Sequence, residues 1–583
     1  MRILFLTHAF NSLTQRLFVE LRRLGHEVSV EFDINDRVSE EAVALYAPDL
    51  VLAPFLKRAI PESIWQNHLC WIVHPGPLGD RGPSSLDWAI AESAPRWGVT
   101  VLQAEAAMDA GPVWASVPFA MRPATKGSLY RGEVTEAAVQ AVRQALDNLA
   151  TPGFTPQRAP VGADGQPGTW RPLMCQAERA IDWSRDDTAT VLARLSAADG
   201  HPGVLDEIGG LPVYLHAPWP ESSLRGQPGE ILGTRDGAIC RATLDGAVWI
   251  THLREPKGLK LPATQVLGER LAGVSDVPLD PFAVPAGETW QEIRYREANG
   301  VGYLFFDFHN GAMSPEQCRR LQRACERADQ CDTRVLVLMG GRDFWSNGIH
   351  LTRIEADEHP AEASWENIQA MDDLTRTLIE MRERLVVSVM RGNAGAGGVF
   401  LALAADQVWA TPGVLLNPHY KNMGNLYGSE YWTYLLPRRV GEEAVDDILG
   451  NRLPLGTPEA LSLGLLDAVL ESQGAGAEAE VMRCAEALAG NPALPERIAA
   501  KARHRAEEEA HRPLQAYRDE ELARMSLNFF GFDPSYHVAR YSFVWRRPHS
   551  RTPLHLALHR SRKVRSGKGE CQGMGTLGAE SSV

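Results

Sequence analysis

An apolar run, Cys70-Trp71-Ile72-Val73, ends on His74, and Pro75-Gly76-Pro77 follows it. Thirty-five residues later, Asp109 sits in Met108-Asp109-Ala110-Gly111-Pro112. An imidazole and a carboxylate that push each other's pKa apart make a workable acid–base pair. Taken singly, a histidine there caps a strand and an aspartate before glycine starts a turn. Their place raises their standing: both lie at or just past expected strand ends, where α/β sheets bind ligands. A second set lies far along the chain, in two glycine-rich turns, 340–348 and 392–398. The second turn lacks the spacing of a dinucleotide loop, and each alone is only a tight turn. The stretch 417–434 is dense in further candidates: His419, Tyr420, Lys421, Tyr427, Ser429, Glu430 and Tyr431. For Tyr427, Tyr431 and Trp432 a place in a helical core is an equal reading.

These groups need elements to position them. Residues 1–150 alternate short apolar runs (RILFLT, EVSVEF, PDLVLAPF, CWIVH) with an amphipathic stretch over 12–24, which predicts an α/β domain with a mostly parallel sheet. A Pro/Gly-rich linker spans 151–168. Asp-Gly pairs at 236–237 and 245–246 mark hairpins in a small β-rich domain over 165–275. A second Pro-rich linker spans 275–290, and a new α/β unit runs over 285–545, its last seventy residues charged and helical. The tail, 546–583, is basic and then Gly/Ser-rich, which predicts disorder.

Composition excludes several classes. The 583 residues suffice for three or four domains, and a net charge of −14 argues against general nucleic-acid binding. No run of about 18 apolar residues offers a membrane span. The short apolar start reads as a buried first strand and not as a signal peptide. The eight cysteines are scattered with no Cys-x-x-Cys, so reduced thiols in a cytoplasm are expected, with no metal site.

The first constellation resembles the formyltetrahydrofolate-using transferases and hydrolases, whose signature is Asn-x-His-Pro-Ser-Leu-Leu-Pro, then a Gly-Val-Thr strand and Asp-x-Gly. Here stand His74-Pro75-Gly76-Pro77-Leu78, Arg81-Gly82, Gly98-Val99-Thr100 and Asp109-Ala110-Gly111. The segment from Ala177 to Val204 is similar to the linker helix and small C-terminal barrel of methionyl-tRNA formyltransferase, so the resemblance covers about residues 1–270. It implies a formyltransferase-type Rossmann-like α/β domain followed by a small OB-like β-barrel domain. It also implies that His74 stabilises a tetrahedral oxyanion while Asp109 raises its basicity and shuttles a proton. Ile72, Pro75, Gly76, Arg81 and Gly82 would line the folate. The family's asparagine, a donor to the formyl oxygen, falls on Ile72, and the loop before Arg81 is one residue short.

The two glycine turns together resemble the crotonase (enoyl-CoA hydratase/isomerase) superfamily, which implies a crotonase-fold α/β domain with C-terminal helices. There two backbone N–H groups hold a thioester oxyanion; here they map to Ile349 and Gly397. The usual Asp after the first turn falls on His350, and the two water-activating glutamates fall on Phe400 and His419. Ordinary hydration is therefore not expected. The order of these units resembles a family of [NiFe]-hydrogenase maturation factors. That resemblance implies formyl transfer from 10-formyltetrahydrofolate to coenzyme A, then decarbonylation of formyl-CoA to CO for the hydrogenase iron. His419 or Tyr420 would take the formyl proton with Glu430 as partner. Maturation proteins that assemble the iron centre would be partners. No motif picks out the CoA phosphate contacts; Arg16, Arg391, Arg438 and Arg439 are the candidates. Alternatives are a 10-formyltetrahydrofolate hydrolase with a non-catalytic crotonase-like domain, a non-catalytic maturation scaffold, and a formyltransferase for a sugar amine or tRNA.

Overall fold

The structure is a computed structural model that describes residues 1–162, 165 and 168–561. The N-terminal sheet has the order β2-β1-β3-β4-β6-β7. Its strands are β1 (Arg2–Thr7), β2 (Glu27–Phe32), β3 (Leu50–Ala53), β4 (Cys70–His74), β6 (Arg96–Gln103) and β7 (Val113–Ala120). A two-residue strand, β5 (Asp80–Arg81), lies off this sheet and pairs with β8 (Thr169–Trp170). Ile3, Leu4, Phe5 and Leu6 of β1 are all buried, as a strand covered on both faces requires. The helix Ser12–Arg23 starts where the Asn11 side chain accepts the Thr14 N–H. The sheet is parallel only over its first four strands. β6 runs against β4 and β7 against β6, because a short helix and loop, not a full crossover, join them.

In the second unit both Asp-Gly pairs make the expected hairpins: Arg235 faces Ala238 and Ala242 faces Ala247. Its strands follow an open path, Ile231–Arg235, Ala238–Ala242, Ala247–Arg254, Leu211–Glu221 and Val204–Ile208, with Lys260–Pro262 on the side. The expected small barrel is therefore corrected: among the described residues no pairing closes it. The helix Thr188–Ala198 instead covers one face, packing Val191, Leu195 and Ala198 on Val213, Leu215 and Ile250.

The third unit holds the six-stranded sheet Ile293–Ala298, Val301–Phe306, Val335–Met339, Leu385–Met390, Gln407–Ala410 and Ala468–Val469. Three of its strands run on into the short strands Phe344–Ser346, Asn393–Gly395 and Leu415–Asn417, which pair side by side in a second sheet. This layer brings the two glycine turns together.

The tail expectation also needs correction, for residues 546–561 are ordered and cross to the N-terminal domain. Leu556 accepts the Val30 N–H (3.0 Å) and Thr552 Oγ1 accepts the Phe32 N–H (2.8 Å). Glu31, fully buried, meets His559 Nε2 at 2.8 Å, Arg560 Nε at 2.6 Å and the Thr552 hydroxyl. Residues 562–583 lie outside the described ones. Burial alone would push the Glu31 carboxyl up, but the hydrogen bonds from His559, Thr552 and Arg560 outweigh it and hold it below the usual range. The stabilisation is thus present above the ordinary carboxylate pKa and is lost as pH falls through the lowered one. Replacing Glu31 by Gln leaves two basic side chains facing a neutral amide; unfolding in urea is expected to show a loss of about 3 kcal/mol, and trypsin to gain access to Arg560.

Candidate active sites

β4 delivers His74 at its carboxyl end. Trp71 pairs with Gln103 and His74 with Thr100, so β6 ends beside the start of β4. The 104–112 loop has to fold back to reach His74, and Asp109 takes a left-handed φ of +52° there. Asp109 Oδ2 lies 3.5 Å from His74 Nδ1 and accepts the Gly82 N–H at 3.2 Å. Closer still is a carboxylate that sequence reasoning missed. Asp80 Oδ2 sits 2.9 Å from His74 Nε2, and both residues are buried. Its one sequence signal is its place immediately before Arg81-Gly82. Burial disfavours the charged imidazole, but the Asp80 hydrogen bond and the Asp109 and Asp80 charges outweigh it, so the His74 pKa is raised above its ordinary value.

The other expected residues build the walls of this loop. Ile72 shares the His74 face of β4 and packs beside Leu4, Leu6 and Cys70. The Pro75 carbonyl accepts from Ser85 and Trp97, and the Gly76 carbonyl accepts from Thr100. Arg81 Nε donates to the Met108 carbonyl at 3.1 Å, and its guanidinium stands over Trp170. The segment just after the linker contributes as well: β8 pairs with β5, and Arg171 Nε lies 3.2 Å from Asp80 Oδ1.

In the third unit the two glycine turns touch. A Cβ on Gly348 would lie 3.5 Å from the Gly397 nitrogen, and Trp345 Nε1 donates to the Gly398 carbonyl at 2.8 Å. Gly397 opens the helix Gly397–Leu403, so its N–H has no intrahelical partner. Glu430 lies against it, where any Cβ on Gly397 would overlap the carboxylate. The Tyr420 hydroxyl is 2.6 Å from Glu430 Oε2 and 3.0 Å from the Ser429 carbonyl, and its ring stacks on Phe400 at 5.5 Å. Glu430 and Tyr431 both take positive φ, 60° and 59°, a strained pair for residues with side chains. Two buried carboxylates that the sequence did not flag hold this turn. Asp372 accepts the Glu430 N–H (2.8 Å) and the Ser429 hydroxyl (2.7 Å), and Glu521 accepts the Tyr431 N–H (2.9 Å).

Burial and the Asp372 charge push the Glu430 carboxyl up to about 8, so it is protonated at pH 7. It can then donate to Tyr420 Oη while Tyr420 donates to the Ser429 carbonyl. The Tyr420 hydroxyl is pushed well above its ordinary value by burial and by Glu430. His419 is buried with neither ring nitrogen partnered, and burial pushes its pKa down to about 4. His350 instead caps the next helix, accepting the Arg353 N–H at 3.2 Å. Tyr427 and Trp432 pack together in the core.

A cavity of about 990 Å³ opens on Ile349, Gly397, His419, Tyr420 and Glu430. It reaches Asn11 of the first unit, and Arg254, Lys257, Lys260 and Arg546 face it. The four candidate arginines do not line this cavity. Arg16 pairs with Glu20 and Glu136, Arg391 donates to the Gly340 carbonyl, Arg438 pairs with Glu508, and Arg439 with Asp467. Near those positions carboxylates and carbonyls already engage the guanidinium groups. His74, Asp80 and Asp109 do not line this cavity.

Residues 174–270 match the formyl transferase C-terminal domain and residues 297–530 the enoyl-CoA hydratase/isomerase family. The chain is 53% identical over 566 residues to the hydrogenase maturation factor HoxX of Bradyrhizobium diazoefficiens, covering 97% of this chain and 98% of that one. The chain belongs to the HypX/HoxX family of hydrogenase maturation factors. The crystal structure of Aquifex aeolicus HypX in complex with tetrahydrofolic acid superposes with a TM-score of 0.94 at 47% identity, over 97% of this chain and 99% of that one. Methionyl-tRNA formyltransferase of Ralstonia nicotianae is 28% identical over 236 residues, 39% of this chain and 70% of that one. Among the described residues no helix is long and apolar enough to cross a membrane.

The protonation of Glu430 is directly measurable. Its carboxylic C=O band in the infrared difference spectrum of wild type against Glu430→Gln should persist at pH 7 and fade through about pH 8. Asp372→Asn removes the facing charge and should move that midpoint down.

Proposed function

We propose that the chain makes the CO ligand of the hydrogenase iron in two steps. The formyl group of 10-formyltetrahydrofolate passes to CoA at His74 and Asp109, and formyl-CoA then loses CO at the Tyr420–Glu430 pair. One observation carries this reading. The two-turn arrangement of Ile349 and Gly397 is intact, yet Phe400 and His419 stand where the hydratase glutamates would, and the one carboxyl against Gly397, Glu430, is engaged with Tyr420.

In the second step the two N–H groups would hold the thioester oxygen. The formyl proton leaves to Tyr420 Oη as the tyrosine proton passes to an ionised Glu430. The C–H electrons become the carbon lone pair of CO, the C–S bond breaks towards sulfur, and the pair returns its proton to the thiolate. His419, neutral at pH 7, borders the same space. Arg254, Lys257, Lys260 and Arg546 would bind the CoA phosphates, and the proteins that assemble the iron centre would receive the CO.

A hydrolase reading draws on a different observation: the His74 site does not line the cavity beside Tyr420. Water would then take the formyl group.

Purified protein given 10-formyltetrahydrofolate labelled in the formyl carbon, with and without CoA and with a haemoglobin trap, separates these readings. Labelled CO that requires CoA is expected, falling at least about 100-fold, the scale of an acid–base residue, in His74→Ala and Tyr420→Phe. Its rate should rise through about pH 8 as Glu430 ionises. Labelled formate without CO would establish the hydrolase instead.

A further inference from the structure

We infer that Asp80 is a positioning residue for formyl transfer: it holds the His74 ring through Nε2 and leaves Nδ1–H on the Asp109 side as the donor to the formyl oxygen. The inference rests on the reading of His74 as the formyl-transfer histidine.

Several features build this contact. Asp80 is buried and lies 2.9 Å from His74 Nε2, while Asp109 stands off Nδ1 at 3.5 Å. The nearer carboxylate therefore claims one nitrogen, and at 3.5 Å the other leaves its in-plane hydrogen open to a substrate oxygen. Gly76 is the condition for closure, because a Cβ there would overlap both His74 Nε2 and Asp80 Oδ2. Asp80 is itself fixed from outside the domain. β5, which carries it, pairs with β8 just after the linker, and Arg171 Nε lies 3.2 Å from its other oxygen. Arg171 in turn is held by Glu92 at 2.8 Å and stands over the Trp97 ring. Ile72, on the same face of β4, offers no side-chain hydrogen to an oxyanion, whereas His74 does.

The charged groups that face His74 are thus Asp80 and Asp109, with Arg171 and Glu92 behind Asp80 and Arg81 beside the Asp109 loop. In the reaction the CoA sulfur bonds to the formyl carbon, and the oxyanion so formed is held by His74 Nδ1–H. Collapse then breaks the bond from carbon to N10. The thiol proton reaches N10 through Asp109. A carboxylate off each ring nitrogen favours the imidazolium form, which carries this donor.

The test is the pH profile of formyl transfer from 10-formyltetrahydrofolate to CoA in wild type, Asp80→Asn and Gly76→Ala, with tetrahydrofolate affinity measured by calorimetry on each. Loss of the imidazolium should cut the rate on the alkaline side. In Asp80→Asn that limb is expected to move down by about one pH unit or more, one unit being about tenfold in rate beyond it. Tetrahydrofolate affinity should stay within about threefold, which also shows the variant folded. Gly76→Ala keeps both carboxylates but parts Asp80 from His74, and its limb should move the same way. A limb that stays in place in both variants, whether the rate is unchanged or uniformly lower, overturns the inference and leaves the two-step reading standing. A wild-type protein that releases no formyl group overturns the two-step reading, and this inference with it.

Discussion

Asp80 and Glu31 are carboxylates withdrawn from water whose counter-charges come from other parts of the chain. A charge taken out of water is costly unless another charge and well-placed hydrogen bonds meet it. Asp80 is met by Arg171 just after the linker and Glu31 by Arg560 and His559 of the C-terminal strap. Asp343 of the third unit is met by Arg131 of the first at 2.8 Å. Arg320 of the third unit reaches Asp236 of the second at 2.5 Å. Each pair is satisfied only when the units sit as they do, so the buried pairs at Asp80 and Glu31 and the half-exposed ones at Asp343 and Asp236 together fix how the domains are arranged. The cavity beside Tyr420 lies among surfaces held in this way, with Asn11, Lys260 and Arg546 contributed by three different parts of the chain.

Both candidate centres share one construction. A glycine stands where a carboxylate needs room: Gly76 admits Asp80 to His74, and Gly397 admits Glu430 to the turn before its helix. The adjoining backbone is strained. Asp109, Ala396, Glu430 and Tyr431 all take left-handed φ values without being glycine. Such strain persists only where surrounding bonds over-determine the geometry. Asp372 and Glu521 do this for Glu430 and Tyr431 through their backbone N–H groups. Asp372 also raises the proton affinity of Glu430, so support and proton affinity at that turn share one carboxylate.

Much of this was legible in the residues alone. The apolar strands of the first and third units, the two Asp-Gly hairpins, His74 at a strand end and the two glycine turns are all local patterns, fixed by steric and hydrophobic rules acting over a few residues. The motifs also carried the family resemblance, including the losses at Ile72, Phe400 and His419. What only the tertiary structure decided is which distant groups complete each centre. Asp80, Arg171, Asp372 and Glu521 belong to a two-residue strand, the segment just after the linker and helix interiors that show no special spacing, and they matter because folding removes water from around them. The open second sheet was decided by a helix covering one of its faces, and the docking of residues 546–561 by Glu31, a single buried charge more than five hundred residues away. The cations that face the cavity could not be told from the other arginines, since a guanidinium already matched by a carboxylate looks the same in sequence as one that faces open space. Short-range sterics and periodicity are written along the chain, whereas the pairing of buried charges depends on distances that exist only after the chain has folded.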